Sequence, residues 1–258
     1  FSADWTGELQ QWCQPRWTSD HAALFGFTKK SHAPTLNMAE TFYSRNGVPI
    51  DEDLSWDYGN RFDVIQTPIL DADNLNYHEF YIENDYATAK LHTFREPRFY
   101  STLGFDGGKW FSLETENINL IPHLNAKAGA PSGKQGFEIY SITGYFAKKL
   151  VHYENIISLE GSTIKGYSFP IIRLSDLYLM YAEASNETKA APDSEVYEYI
   201  QKVRDRAGLT TAVTSITKED LLVERRVELA FENHRLFDLI RFGKAESVLS
   251  ALSNANGY

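Results

Sequence analysis

Residues 224–243 read ERRVELAFENHRLFDLIRFG. Glu224, Arg225, Arg226, Glu228, Glu232, Arg235, Asp238 and Arg241 alternate there with Val227, Leu229, Ala230, Phe231, Leu236, Phe237, Leu239 and Ile240. A simple amphipathic helix confines its apolar residues to one stripe at i, i+3, i+4 and i+7. Here apolar residues fall on every face, so some charges must lie against apolar neighbours. Buried charges persist only when paired and hydrogen-bonded. Glu224, Glu228 and Glu232 recur at i, i+4 and i+8, with Arg225 and Arg235 in reach of the same side. The pattern predicts helices locked together by Glu224, Arg225, Glu228, Glu232, Arg235 and Asp238, with Glu224, Glu228 and Arg235 largely buried and hydrogen-bonded. Such a network is architecture rather than catalysis.

Outward from this block the chain reads as helical back to Pro170. Thr217 with Asp220 is a capping-box variant that opens a long helix through about Glu232. A last helix runs from about His234 to Phe242, with Gly243 as a break. Upstream, Val196, Tyr199, Ile200 and Val203 repeat at helical spacing, with Asp193 or Ser194 as cap and Gly208 as terminator. Leu174, Leu177, Tyr178, Tyr181 and Ala184 form another helical stripe. Before Pro170 the signals weaken. Phe99–Phe105 and Lys109–Leu113 suggest a hairpin turning at Asp106-Gly107-Gly108. Leu36–Tyr43 reads as a short helix ended by Asn46-Gly47, and Val48–Asn60 as loop. Phe1–Ser31 has poor periodicity and Pro15 interrupts it, so loop with short helical turns is expected.

Several of these stretches together resemble the SusD/RagB family of outer-membrane nutrient-binding lipoproteins. The 224–243 block is similar to that family's ER-ELAFE-HR-FDL-R block. Ile172-Arg173-Leu174 through Tyr181-Ala182-Glu183-Ala184 looks like its RL-E-YL-YAEA helix, and Val203–Leu209 like its IR-RAGL helix end. Arg95-Glu96-Pro97-Arg98-Phe99-Tyr100 is similar to its RDPRF turn, with Glu96 where Asp is usual. Pro34-Thr35 to Gly47 resembles its PT--lvd-Y---dG segment. Each match is weak alone, but five in order make a specific signal. The resemblance implies a mainly α (α+β) fold of the SusD type, matching that family's C-terminal region. Residues 1–169 would be a loop-rich, ligand-binding part with a minor β-hairpin, and 170–250 a helical part holding the charged network. The family's N-terminal tetratricopeptide-like half is not in this sequence, nor is its lipidated first cysteine. Asn256-Gly257-Tyr258 resembles the family's tail without the proline-rich segment before it, so either that segment is deleted or residues are missing between about Leu249 and Asn254.

Composition narrows the function. The 258 residues are 43% hydrophobic and 14% aromatic, enough for a sizeable core. The net charge of -10 argues against nucleic acid and against anionic membrane surfaces. The single cysteine, Cys13, permits no intrachain disulfide and no thiolate metal site, and lacks the apolar run that would precede a lipid anchor. No apolar run approaches the roughly 20 residues a membrane span needs. HExxH, GxSxG and GxGxxG are all missing. Asp71–Asn76 imitates a calcium loop but has Leu75 and Asn76 at the fifth and sixth positions and Ile82 at the twelfth. Gly129–Gln135 imitates a phosphate loop but is one residue short between its glycines and ends in Gln135. His234 is a structural hydrogen-bonder rather than a base, and no metal or cofactor is expected. Glu114 and Glu116 could serve a glycosidase only at ~5–9.5 Å across a sugar, a distance sequence does not give.

Tryptophan is what remains. Trp5, Trp12, Trp17, Trp56 and Trp110 all fall outside the strong helical patterns. An indole can stack on the flat C–H face of a sugar while polar side chains take the hydroxyls. The competing reading is that these rings pin irregular loops to the core. The candidate ligand residues are Trp5, Trp12, Arg16, Trp17 and Asp20, beside Gln10 and Gln14, with Trp56 and Tyr58 as second choice. The resemblance implies a non-catalytic, outer-membrane, cell-surface protein that binds an oligosaccharide or other nutrient and delivers it to a SusC-like TonB-dependent transporter. Membrane attachment would come only through a lipid anchor absent from this sequence. A glycan-processing hydrolase and a structural adhesion or pilus-type subunit are the alternatives from other classes.

Overall fold

A computed structural model describes residues 3–17, 31–111, 117, 121–136, 140–158, 161–189 and 191–254. The chain divides into two compact units. One is Phe1–Phe169 with Ala207–Leu209, and the other is Pro170–Arg206 with Thr210–Tyr258.

Among the described residues the first unit is irregular, with three α-helices, a few single 3-10 turns and two short antiparallel strand pairs. Helix α1 spans Ala3–Cys13, which corrects the expectation of loop for Trp5 and Trp12. Its inward face is Thr6, Gln10 and Cys13, at i, i+4 and i+7, all fully buried. Gln10 accepts from the His152 backbone N–H (2.8 Å) and from Asn155 Nδ2 (2.6 Å), and donates to the Lys165 carbonyl (2.9 Å). Thr6 Oγ1 accepts from the Tyr167 backbone N–H. Hydrogen bonds, not an apolar stripe, seat this helix, so apolar periodicity did not reveal it.

Helix α2, Leu36–Thr41, starts where Thr35 Oγ1 caps the Met38 N–H at 3.2 Å. It stops two residues before the expected Tyr43. Phe42 is extended there, and Tyr43 donates its N–H to Glu96 at 2.8 Å. Helix α3, Pro97–Thr102, corrects the expected hairpin. Pro97 sits in the first turn, where its fixed φ and missing N–H suit a helix start. The turn at Asp106-Gly107 does form, with the Gly108 N–H donating to the Phe105 carbonyl. Its flanks pair elsewhere: Gly104 bridges Phe146, Gly108 bridges Ile82 and Lys109 bridges His123. The regular strand pairs are β1 (Val64–Gln66) with β2 (Ala87–Ala89), and β3 (Ile156–Ser158) with β4 (Gly161–Thr163).

The core of this unit is aromatic: Phe42, Phe99 and Phe105 are fully buried, and Tyr81 stacks on Tyr100 at 4.1 Å. Arg95, also fully buried, lies among them. Its guanidinium donates to the carbonyls of Ala39 (2.7 Å), Phe42 (2.5 Å), Leu91 (2.9 Å) and Tyr43 (3.3 Å). It faces the Phe99 ring at 4.6 Å. Burial pushes Arg95 down to about 10, so it stays charged at neutral pH.

The second unit is helical: α4 (Leu174–Glu187), α5 (Ser194–Arg206), α6 (Lys218–Glu228), α7 (His234–Arg241) and α8 (Ala245–Asn254). Ala182, Val196, Ile200, Ile216 and Leu221 form its apolar centre. Asp193 caps α5 through the N–H groups of Glu195 and Val196. Thr217 and Asp220 make the full reciprocal capping box. Helix α6 ends at Glu228, not near Glu232, because Phe231 and Asn233 adopt φ of 66° and 64° and turn the chain before α7. Gly243 at φ 65° separates α7 from α8. Asn256–Tyr258, the expected abnormal tail, lie outside the described residues.

Candidate functional site

The charged block of the second unit forms a buried network, with different partners from those its spacing suggested. Glu224 is 1% exposed and Glu228 2%. Glu224 is paired with Arg204 of α5 at 3.2 Å. Glu228 is paired with Arg173 (2.6 Å), just before α4, and with Arg206 of α5. Arg173 also holds Glu232 at 2.6 Å and donates to the Glu228 carbonyl. Arg225 bridges Asp176 of α4 and Asp238 of α7, both at 3.1 Å, and Arg241 reaches Asp238 at 2.8 Å. Arg235 is a correction. It is half-buried, and among the described residues no hydrogen bond reaches it. Residues three or four apart share one helix face, so pairs on one helix were visible in the sequence. Arg173, Arg204, Arg206 and Asp176 come from other helices and were not.

The aromatic candidates separate into closed and open rings. Trp56 is 8% exposed, donates its indole N–H to the Thr93 carbonyl at 3.1 Å and lies near Arg95. A ring so placed offers no face to a sugar and is a loop anchor. Tyr58 is half-buried under Arg61, whose guanidinium lies 4.0 Å from the ring centroid. Arg16 is 1% exposed, donates to Gln135 at 3.2 Å, and its carbonyl accepts from Ser132. Gln10 and Gln14 are buried as well. Trp5 lies on α1, and Asp20, Glu114 and Glu116 lie outside the described residues.

Trp12 and Trp17 remain half-exposed. Trp12 meets His32 edge-on at 6.4 Å, and its carbonyl accepts the N–H groups of Ser31 and His32. Trp17 meets Trp110 edge-on at 5.7 Å and 66°. Trp110 rests against Phe111 at 5.1 Å, and the Lys148 ammonium lies 5.6 Å from the Trp110 centroid. That ammonium donates to the carbonyls of Lys109 (2.8 Å) and Tyr100 (3.2 Å), and burial pushes it down to about 8. Trp110 and Lys148 were missed as site neighbours. They stand some 90 and 130 positions from Trp17, and only the fold joins them. Trp17 is thus half-open and meets the buried Trp110, while Trp12 is half-open against His32.

Among the described residues, no group of three or more His, Cys, Asp or Glu side chains could hold a metal ion. The Asp71 carboxylate is used within its own turn, accepting the N–H groups of Asp73 and Leu75. Cys13 is buried, and burial pushes its thiol up to about 12. Among the described residues no helix is long and apolar enough to cross a membrane.

The chain resembles known proteins over limited shares of their length. It is 40% identical over 80 residues to the SusD-like protein P25 of Formosa agariphila, covering 28% of this chain and 15% of that protein. It is 27% identical over 121 residues to the starch-binding protein SusD of Bacteroides thetaiotaomicron, covering 45% of this chain and 21% of that protein. The solved structure of BT4246 superposes with a TM-score of 0.68 at 26% identity, over 92% of this chain and 40% of that one. The family model described as the SusD family matches residues 2–258. With that match over nearly its whole length, and with its charged helical block and buried Arg95 turn in place, the chain belongs to the SusD family.

Proposed function

We propose that this chain is the glycan-binding part of a non-catalytic cell-surface protein. It captures oligosaccharide on the aromatic surface around Trp12 and Trp17. In the outer membrane it delivers that oligosaccharide to a SusC-like TonB-dependent transporter. The observation that carries this is the half-exposed Trp17 ring on its Trp110 base, in a chain similar to a starch-binding protein over 45% of its length. A stacking ring of this kind contributes on the order of 1 kcal/mol or more through its face, provided it is held before the ligand arrives. Trp5, Arg16 and Asp20 belong to the same segment, Arg16 being buried, and of the second choice only Tyr58 stays a candidate contact, since Trp56 is closed.

The test is binding calorimetry of the complete protein against a panel of neutral polysaccharides, starch included. Wild type should bind at least one member, and the Trp12→Ala, Trp17→Ala double variant should lose that binding at least tenfold while keeping its melting temperature. Unchanged binding would make these rings loop anchors. Incubating the bound polysaccharide with the protein and following products by chromatography separates capture from hydrolysis, and shorter products would favour a hydrolase. Failure to bind any glycan would favour a structural surface subunit. Co-purification of a large outer-membrane transporter from native membranes tests the delivery step.

A further inference from the structure

We infer that Trp110 is a positioning residue for glycan recognition: it holds the Trp17 ring in its stacking orientation without touching the glycan itself. The inference rests on the reading of Trp17 as a sugar-stacking ring. Trp110 is only 6% exposed, so it is poorly placed to be a contact. Its ring is fixed from several sides. Its backbone N–H donates to the Pro122 carbonyl at 2.8 Å. Gly104 leaves room for it, since a Cβ there would come within 2.6 Å of the indole Cζ3. Phe111 tilts against it, and the Lys148 ammonium, tied to backbone carbonyls, sits 5.6 Å from both aromatic centroids. Trp17 meets this fixed ring edge-to-face, at 5.7 Å and 66°.

One feature separates positioning from ordinary packing. The indole N–H of Trp110 is buried and has no hydrogen-bond partner among the described residues. A buried donor left unmet costs stability, and phenylalanine at this position would avoid that cost. What tryptophan adds is ring width under Trp17.

The experiment compares wild type, Trp17→Ala, Trp110→Phe and Lys148→Met in the complete protein. Binding is measured by calorimetry against the member of the neutral polysaccharide panel that wild type binds best, with melting temperature measured alongside. Trp110→Phe should melt within about 2 °C of wild type, or higher, and bind five- to tenfold more weakly. Lys148→Met leaves Trp110 in place but loosens it, and should bind more weakly by a smaller factor. Binding of Trp110→Phe within twofold of wild type, with Trp17→Ala impaired, overturns this inference and leaves the Trp17 reading standing. If Trp17→Ala also binds like wild type, or wild type binds no panel member, the Trp17 reading fails and this inference goes with it. If Trp110→Phe does not fold, Lys148→Met decides alone, and unchanged binding there overturns the inference.

Discussion

Arg95 of the first unit and Arg225 of the second are buried in opposite ways, while Arg98 of the first unit is paired with buried Glu96 at 2.6 Å. In the first, Arg95 sits among aromatic rings and donates to the backbone carbonyls of Ala39, Phe42, Tyr43 and Leu91. In the second, Arg225 is matched by the carboxylates of Asp176 and Asp238, and Arg173 by those of Glu228 and Glu232. The difference follows from the backbone around them. A helix uses nearly all its own carbonyls in i to i+4 bonds, so an arginine buried between helices needs an acid from a side chain. An irregular segment has carbonyls left over, and one five-donor fork can serve several of them. Arg225 therefore ties helices by charge, and Arg95 gathers loop carbonyls by hydrogen bonding.

Removing the loop arginine should have the largest effect. Arg95→Met takes the guanidinium donor from the carbonyls of Ala39, Phe42 and Leu91, while the Tyr43 carbonyl keeps the Glu96 N–H, at ~1–3 kcal/mol for each unmet group. The expected loss is ~5 kcal/mol or more, which is exceptional for one substitution. Urea denaturation measures it, and a loss under ~2 kcal/mol would mean that water replaces the guanidinium. In the helical unit, Arg225→Met strands Asp176 beside a half-satisfied Asp238 and should cost ~3–5 kcal/mol. Pairing it with Asp176→Asn should recover part of that loss, since the two substitutions remove one shared interaction. Strict additivity of the pair would count against the bridge.

Legibility from sequence follows the same division. The helices after Pro170 were readable because their caps are local: Thr217 with Asp220, and Asp193 before α5. The density of charge in 224–243 correctly signalled buried Glu224 and Glu228. Their partners were not readable, because Arg173, Arg204 and Arg206 reach them across the fold. In the loop-rich unit, α1 was hidden because Thr6 and Gln10 face inward and are satisfied by backbone and side chain from residues 152–167. The hairpin was misplaced because Gly107 does turn the chain, yet the residues before it follow Pro97 into a helix. Among the tryptophans, sequence offered no way to tell the closed Trp56 from the half-open Trp17. An indole looks the same in sequence whether a carbonyl or a sugar is waiting for it.

The units should also differ in acid. His92 is buried in the first unit between Thr88 and Tyr145, and burial pushes it down to about 3. His78 is pushed down to about 4 by burial, with Arg45 adding to the effect. Both folded values lie below the ordinary 6.5, so between them the unfolded chain binds more protons. Stability contributed by the neutral histidines is present above about 6.5 and is lost as pH falls toward 4. The slope is at most ~1.4 kcal/mol per pH unit for each histidine. Urea midpoints at pH 7, 6 and 5 should fall accordingly for wild type, and His78→Leu should flatten the decline by about half. A flat profile from pH 7 to 5 would show that these rings are open to water. The helical network has no comparable histidine among the residues it uses, so Arg225→Met should lower stability by a similar amount across that range.

The smallest effect is expected where spacing alone would predict a large one. Arg235 stands in the charged block at a position that places it beside Glu228 and Glu232 on paper, yet it is half-buried and no described hydrogen bond reaches it. Burial lowers its pKa and the charge of Asp238 only opposes this, the signature of an arginine near an acid already claimed by others. Asp238 already accepts from Arg225 and Arg241. Arg235→Ala should therefore cost ~0.5 kcal/mol or less, the range of an ordinary surface substitution. Measured beside Arg225→Met by the same urea titration, it separates membership of the network from mere proximity to it. A loss above ~1.5 kcal/mol would place Arg235 inside the network after all. The rule that helices need carboxylates for their buried arginines would then have to explain why this one is held without a described bond.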